Sequence, residues 1–268
     1  MKKETFSSNW KLLSFSKKGK RNNNEDRIGY FDDWSATKGP ICVFIACDGV
    51  GGTSGGAECA EEVVQAVYTK LQELISIYGL SIFKDSGSAL LVSELTSLKV
   101  KSNISGATTL VALIFGVARL RNGYHCTAIW AGDSRAHIID SKGQYLMLTK
   151  DHHDEEGRLT AAYVANGDGY CHGSLEIRHT VIPYYPLAFG VTTDGVHGKC
   201  VDVELCAFLA WCILQKGIDS DTFALATERF LAGNLSDNLS AIFLFRLVAL
   251  PNQALMNILE QWSAGEYV

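Results

Sequence analysis

No apolar run in this chain approaches the ~20 residues needed to span a bilayer, and the polar start MKKETFSSNWKLL lacks the long apolar core of a signal peptide. A soluble, intracellular, cytoplasmic protein is therefore expected. Positive charge is in short supply: 24 Lys and Arg stand against 29 Asp and Glu, a net charge of -5. That balance excludes a general attraction to nucleic acid or to an anionic membrane surface. The eight cysteines, at 42, 47, 59, 126, 171, 200, 206 and 212, include no C-x-x-C pair, and most sit inside apolar stretches. Reduced, buried thiols are expected in place of disulfides or a zinc site. Gly51, Gly52, Gly55 and Gly56 fit neither G-x-G-x-x-G nor the P-loop spacing, so they read as a link into a following helix.

What is present is a substantial core, with 47% hydrophobic residues in 268. Strand-like runs group into two regions. WKLLSF, DRIGYF and GPICVFIACDG come early; TTLVALIFGVARL, YHCTAIWAGDSRAHIID and QYLMLT lie in the middle. Short turns at Asn122-Gly123 and Ser141-Lys142-Gly143 suit hairpins rather than parallel crossovers. Between these regions Val64, Val67, Tyr68, Leu71, Leu74, Ile75 and Tyr78 recur at helical spacing before Gly79, which predicts a long amphipathic helix. Two further helices are expected within 201–217 and 221–233, then a buried strand in 237–248. Leu255, Ile258, Leu259 and Trp262 suggest a closing helix at about 252–264. Strands in meanders with helices in separate blocks predict an α+β fold, most simply two antiparallel sheets covered by helices. With no internal repeat and no linker, residues 1–268 read as one domain with a core at about 8–250.

Four motifs place an acidic residue where an apolar strand begins or ends: NNNED at 22–26, ACDGVGG at 46–52, TTDGV at 192–196 and SDNLSAIF at 236–243. Singly, each suits a turn. Jointly, strand ends of packed sheets can aim several carboxylates into one cleft. Glu25, Asp48, Asp194 and Asp237 gathered there would repel one another unless cations sat between them. Hard oxygen ligands suit Mg²⁺ or Mn²⁺ rather than zinc. Two such ions ~3.5–4 Å apart can turn a bridging water into a hydroxide-like nucleophile for attack on a phosphoryl group. Arg21 is the guanidinium placed to bind the phosphate oxygens.

The ordered set R-N-N-N-E-D (21–26), V-F-I-A-C-D-G-V-G-G (43–52), G-A-T-T (106–109), G-D-S-R (132–135), L-T-K-D-H (148–152), T-T-D-G-V (192–196) and S-D-N-L-S (236–240) resembles the metal-dependent Ser/Thr protein phosphatases of the type 2C class, in particular their compact bacterial members. The resemblance implies a central β-sandwich flanked by helix pairs, an α-β-β-α arrangement, with a dinuclear Mn²⁺/Mg²⁺ centre at one end. It implies that Asp48 bridges both metals, that Asp194 and Asp237 bind the first, and that Glu25 and the Gly49 carbonyl serve the second. Asp26 would hold the attacking water and Arg21 the substrate phosphate. The implied partners are a phosphorylated protein substrate and an opposing Ser/Thr kinase, with no nucleic acid, no membrane and a monomeric chain.

The chain departs from the resembled pattern at three places. Asn103 stands where the resembled members carry an aspartate that would help hold a third ion, and an amide there would bind a cation more weakly. Val50 follows the Asp-Gly pair where animal members carry a histidine suited to protonating the leaving group, so that proton would come from water or another side chain. The segment 153–190 does not match the usual flap. Among its neighbours, His152, His153, His172 and His179 read as solvated loop histidines. Gly132 to Arg135 reads as a tight bend rather than a catalytic pair, and Lys17, Lys18 and Lys20 as a solvated turn. The alternative function is a catalytically weak or silent relative that binds a phosphorylated partner.

Overall fold

A computed structural model describes residues 10–33, 40–50, 55–83, 85–98, 105–117, 120–166, 170–198, 200–215, 218–231, 235–246, 253, 256–257 and 259–260. Asn103, Gly51, Gly52 and most of the closing helix expected at about 252–264 lie outside the described residues.

The strands are β1 (Trp10–Lys17), β2 (Arg27–Asp33), β3 (Ile41–Cys47), β4 (Ser105–Thr108), β5 (Leu110–Gly116), β6 (Tyr124–Ala131), β7 (Arg135–Asp140), β8 (Tyr145–Met147), β9 (Ala162–Asn166), β10 (Tyr170–His172), β11 (Glu176–Ile182), β12 (Pro186–Thr192) and β13 (Leu239–Arg246). One five-stranded sheet runs β1-β13-β12-β7-β8, a second runs β11-β6-β5-β3-β2, and a small third runs β10-β9-β4. Every pairing is antiparallel, as the short hairpin links predict. The continuous apolar runs ICVFIAC and LVALIFG are buried along their whole length, because each lies inside a sheet covered on both faces. By contrast β2, at a sheet edge, has one fully buried residue, Phe31.

Between the two large sheets lie Phe44, Phe115, Trp130, Phe189 and their aliphatic neighbours. The Phe115 and Phe189 rings stack at 4.0 Å between centroids. Each such side chain removed from water stabilises the sandwich by ~1.5–3 kcal/mol. Helices α1 (Gly56–Tyr78) and α2 (Asp85–Thr96) cover the outer face of the second sheet, burying Val63, Val67, Leu71, Leu91 and Leu95. Helices α4 (Asp202–Leu214) and α5 (Ser220–Phe230), which follow a short turn of helix α3 (Asp194–His197), cover the first sheet. The result is the expected α-β-β-α order.

Several local expectations change. The buried stripe of α1 begins at Cys59, Ala60 and Val63, while Tyr78 is exposed at the end of the helix. Gly79 does stop it, at φ 51°, its N–H returning to the Ile75 carbonyl. Helix α2 had no counterpart in the sequence analysis, although Leu91 and Leu95 lie four apart and fully buried. Segment 153–190, which does not match the usual flap, contains β9, β10, β11 and the first residues of β12, and β11 pairs with β6 along its whole length. Lys17 belongs to β1 and is ion-paired to Glu228 at 2.7 Å, so it is not part of a solvated turn.

Register brings the expected site residues to one end. Lys17 pairs with Leu239, so the segment after β1 and the segment before β13 leave the sheet side by side. Thr192 pairs with both Ala241 and Arg135, and Leu110 with Ala131. The exits of β3, β6 and β12 thus share that end.

Candidate functional site

At that end a cavity of about 130 Å³ is lined by Arg21, Glu25, Asp48, Gly49, Val50, Thr109, Asp133, Leu159, Asp194, Asp237 and Asn238. Six residues that the sequence singles out, Arg21, Glu25, Asp48, Gly49, Asp194 and Asp237, therefore meet. Asp26 does not line the wall; it is fully buried, against the Asp48 carboxyl. Asn103 is outside the described residues.

The backbone at Asp48 is strapped down independently of its side chain. Its N–H donates to Thr109 Oγ1 at 2.9 Å. Its carbonyl accepts from the Thr109 N–H and from Thr108 Oγ1, each at 2.8 Å. Gly49 donates to the Glu25 carbonyl at 3.2 Å, and a Cβ there would stand 2.6 Å from the Gly56 backbone. Only glycine lets the strand end approach the start of α1 so closely. The Gly106–Thr108 segment packs under the same strand end: Gly106 sits at φ 139° against Gly55, and the Ala107 carbonyl accepts from the Val50 N–H at 2.9 Å.

Asn238, absent from the expected set, ties the two chain segments together. Its Oδ1 accepts from the Glu25 N–H at 2.8 Å. Its Nδ2 donates to the carbonyls of Lys18 at 2.9 Å and Asn23 at 2.8 Å. One amide thus holds both ends of the Arg21 loop beside Asp237. The adjoining Asp237 accepts from the Asn238 N–H through Oδ1 at 2.9 Å and from Arg21 Nη2 through Oδ2 at 2.7 Å.

The electrostatics are those of crowded acids. Burial, then Asp26 and Asp194, push the Asp48 carboxyl well above its ordinary value. Asp26 is pushed up to about 7, chiefly by burial, although Thr193 Oγ1 donates to its Oδ2 at 2.8 Å. Asp26 Oδ1 and Asp194 Oδ1 are buried without a hydrogen-bond partner among the described residues. An unpartnered buried carboxylate oxygen costs free energy that a cation would recover. The donor set, carboxylates and a backbone carbonyl, fits hard divalent ions. Among the described residues no three such side chains already stand in an arrangement that could hold an ion. Asp237 in particular is drawn to Arg21, so the site has the right donors but not a closed cage.

Asp133, read from the sequence only as part of a tight bend, also lines the cleft. The same signal that marked Asp48 and Asp194 was present, since Asp133 lies two residues beyond the end of β6. The turn carrying it is clamped by histidines. His152, expected to be a solvated loop residue, is instead buried, its Nδ1 accepting from the Gly132 N–H at 3.1 Å. His197 Nε2 reaches the Asp133 carbonyl at 3.1 Å, and His153 Nε2 meets Asp133 Oδ2 at 3.0 Å. His179 is likewise not in a loop: it lies on β11, its Nε2 3.1 Å from His125 Nδ1.

The profile of one family, protein phosphatase 2C, matches residues 16–222. Solved structures agree in fold. A sex-determining protein of C. elegans superposes with a TM-score of 0.65 at 17% identity, covering 96% of this chain and 68% of that one. Serine/threonine phosphatase Stp1 of Staphylococcus aureus gives 0.58 at 17%, covering 91% and 98%. The serine/threonine phosphatase of S. agalactiae gives 0.59 at 18%, covering 88% and 99%.

Proposed function

The chain belongs to the protein phosphatase 2C family and is a protein-serine/threonine phosphatase, and from that premise we propose that its chemistry takes place in the cleft walled by Asp48, Asp194 and Asp237, with two Mn²⁺ or Mg²⁺ ions held there. Asp48 would bridge them, Asp194 and Asp237 would bind the first, and Glu25 with the Gly49 carbonyl the second. Such ions, when bound, supply Lewis acidity to the phosphoryl oxygens and a water of lowered pKa.

The chain's own residues do the rest. Arg21, half exposed at the cleft mouth, exchanges Asp237 for two oxygens of the substrate phosphate. Its guanidinium thereby orients phosphorus for in-line attack. Asp26, buried behind Asp48 and outside the wall, would help position the water through the Asp48 carboxyl that it lies against. Val50 and Leu159 supply apolar wall that limits stray water.

The observation that carries this reading is the convergence of Arg21, Glu25, Asp48, Asp194 and Asp237, scattered over 217 positions of sequence, on one cavity. A phosphorylated protein as substrate, an opposing Ser/Thr kinase and action as a monomer follow as part of the proposal. Among the described residues no helix is long and apolar enough to cross a membrane. The test is phosphate release from a panel of phosphoserine and phosphothreonine peptides with Mn²⁺ and with chelator, alongside calorimetric titration of Mn²⁺. Metal-dependent release and binding of two ions are expected; release that survives complete chelation would refute the assignment.

A further inference from the structure

Four polar side chains that the mechanism does not use lie in single file behind the cleft, from β8 to the Asp133 turn. Tyr145 Oη stands 2.7 Å from His137 Nδ1, and His137 Nε2 lies 2.8 Å from Thr192 Oγ1. Thr192 Oγ1 is in turn 2.7 Å from His197 Nδ1, and His197 Nε2 reaches the Asp133 carbonyl at 3.1 Å. His137, Thr192 and His197 are all buried.

The last partner sets the direction of the whole file. A carbonyl oxygen only accepts, so His197 Nε2 carries a hydrogen. Burial holds the His197 ring well below its ordinary value and the His137 ring down at about 3, with the Arg135 charge adding to both. Each ring is therefore neutral, with one N–H and one lone pair. His197 Nδ1 must accept, so Thr192 gives it its single hydroxyl hydrogen and accepts from His137 Nε2–H. His137 Nδ1 then accepts from the Tyr145 O–H. Every donor from Tyr145 to the Asp133 carbonyl has one acceptor, with no proton left over.

Such a file is costly in a core where apolar side chains of similar volume would pack as well. Its return is fixed geometry, since a fully satisfied buried network holds its members in one arrangement. The elements it joins carry cleft acids. Thr192 ends β12, and Asp194 opens α3, the helix that also carries His197. Asp133 and Asp194 both line the cleft, and after burial it is the Asp194 charge that pushes the Asp133 carboxyl up. Two such acids repel and would part if nothing tied their segments together. On its other side the turn is pinned by Ser134 Oγ, 2.7 Å from Thr109 Oγ1. We propose that His197, backed by Thr192, His137 and Tyr145, is a positioning residue of the phosphatase site: it ties α3 to the Asp133 turn and so sets the spacing of the Asp133 and Asp194 carboxyls. The inference rests on the phosphatase reading of that cleft, and His197 acts in it only through Asp133.

Three substitutions test this. Thr192→Val keeps the shape and removes the hydroxyl, Thr192→Ser keeps the hydroxyl, and His197→Phe keeps a ring without its nitrogens. With Mn²⁺ and a phosphoserine peptide, Thr192→Val and His197→Phe should each lower kcat about 10–100-fold with KM within about twofold, the loss that a displaced cleft group produces. Thr192→Ser should keep kcat within about threefold of the unaltered chain. Valine suits a strand better than serine, so a packing role alone predicts the opposite order. Coupling is the decisive readout: once Asp133→Asn has removed the positioned group, His197→Phe should lower kcat by less than about threefold further. Thr192→Val completes the same cycle if His197→Phe does not fold. Nitrogen-15 spectra of the unaltered chain should show a neutral His197 ring with its hydrogen on Nε2 from about pH 5.5 to 8. A His197 ring that titrates near its ordinary value, or Thr192→Val no worse than Thr192→Ser, would overturn the assignment. So would an Asp133→Asn chain as active as the unaltered one, or the same full loss from His197→Phe with and without Asp133. An unaltered chain that binds Mn²⁺ yet releases no phosphate from the peptide would sink the proposed function itself.

Discussion

Replacing Asp48 with asparagine removes the carboxyl that burial and its neighbours Asp26 and Asp194 disfavour most, yet leaves its backbone anchors to Thr108 and Thr109 untouched. Two ionised carboxylates ~4 Å apart at an effective dielectric of about 20 repel by about 4 kcal/mol. Taking up a proton instead caps the cost at about 4 kcal/mol at pH 7, the work of protonating a group whose unfolded value is ~3.9. An asparagine escapes both and can offer an N–H to Asp194 Oδ1, which has no hydrogen-bond partner among the described residues. A gain near half the cap, about 2 kcal/mol, should raise Tm by about 4–8 °C for a chain of this size. The assay is thermal melting at pH 7 in chelator. With Mn²⁺ at a hundred times its Kd the unaltered chain should gain about 2.7 kcal/mol and overtake a variant that binds the ion poorly. The sign with pH is fixed by linkage. Because the folded chain holds the Asp48 proton more tightly than the unfolded one, it binds more protons between the ordinary value of 3.8 and the raised one. Its stability therefore falls as pH rises through that window, so the advantage of Asp48→Asn should vanish below about pH 4 and open toward pH 7. A variant that melts lower than the unaltered chain in chelator at pH 7 would refute the electrostatic argument, since the carboxylate would then be a structural partner.

Asp237→Asn should abolish phosphate release while keeping the fold, with circular dichroism and Mn²⁺ titration separating lost metal from lost structure; full activity in the purified variant would contradict the ligand assignment. Arg21→Ala should lower kcat/KM for phosphopeptides about 10–100-fold, the worth of a hydrogen bond to a charged group, and Arg21→Lys should recover only part, because an ammonium lacks the planar fork. Gly195→Ala drives its new Cβ into the Asn238 carbonyl, so a loss of about 1–3 kcal/mol in chemical denaturation and weaker Mn²⁺ binding are expected together, Asn238 being the link between Asp237 and the Arg21 loop.

Hydrophobic pattern and turn chemistry make the layer order of this protein legible before any folding is seen. Continuous apolar runs such as ICVFIAC mark strands covered on both sides, Asn122-Gly123 and Ser141-Lys142-Gly143 mark the hairpins, and three- and four-residue spacing marks α1, α4 and α5. The acidic residues at strand ends are equally visible, because a strand's end is a local property. Helix α2 escaped for the opposite reason: its leucines sit among serines and a glycine, and burial against the second sheet decides for helix where propensity is weak.

From sequence alone come the strand, turn and helix preferences and the list of carboxylates with an arginine beside them, all set by interactions between near neighbours along the chain. Tertiary structure alone decides that Asp133 joins the cleft while Asp26 stands behind it, that Asn238 ties together segments 213 residues or more apart, and that His152 and His179 are not solvated loop residues. Those outcomes depend on sheet register and on which buried polar atoms find a partner across the fold, and neither is encoded in any window of adjacent residues.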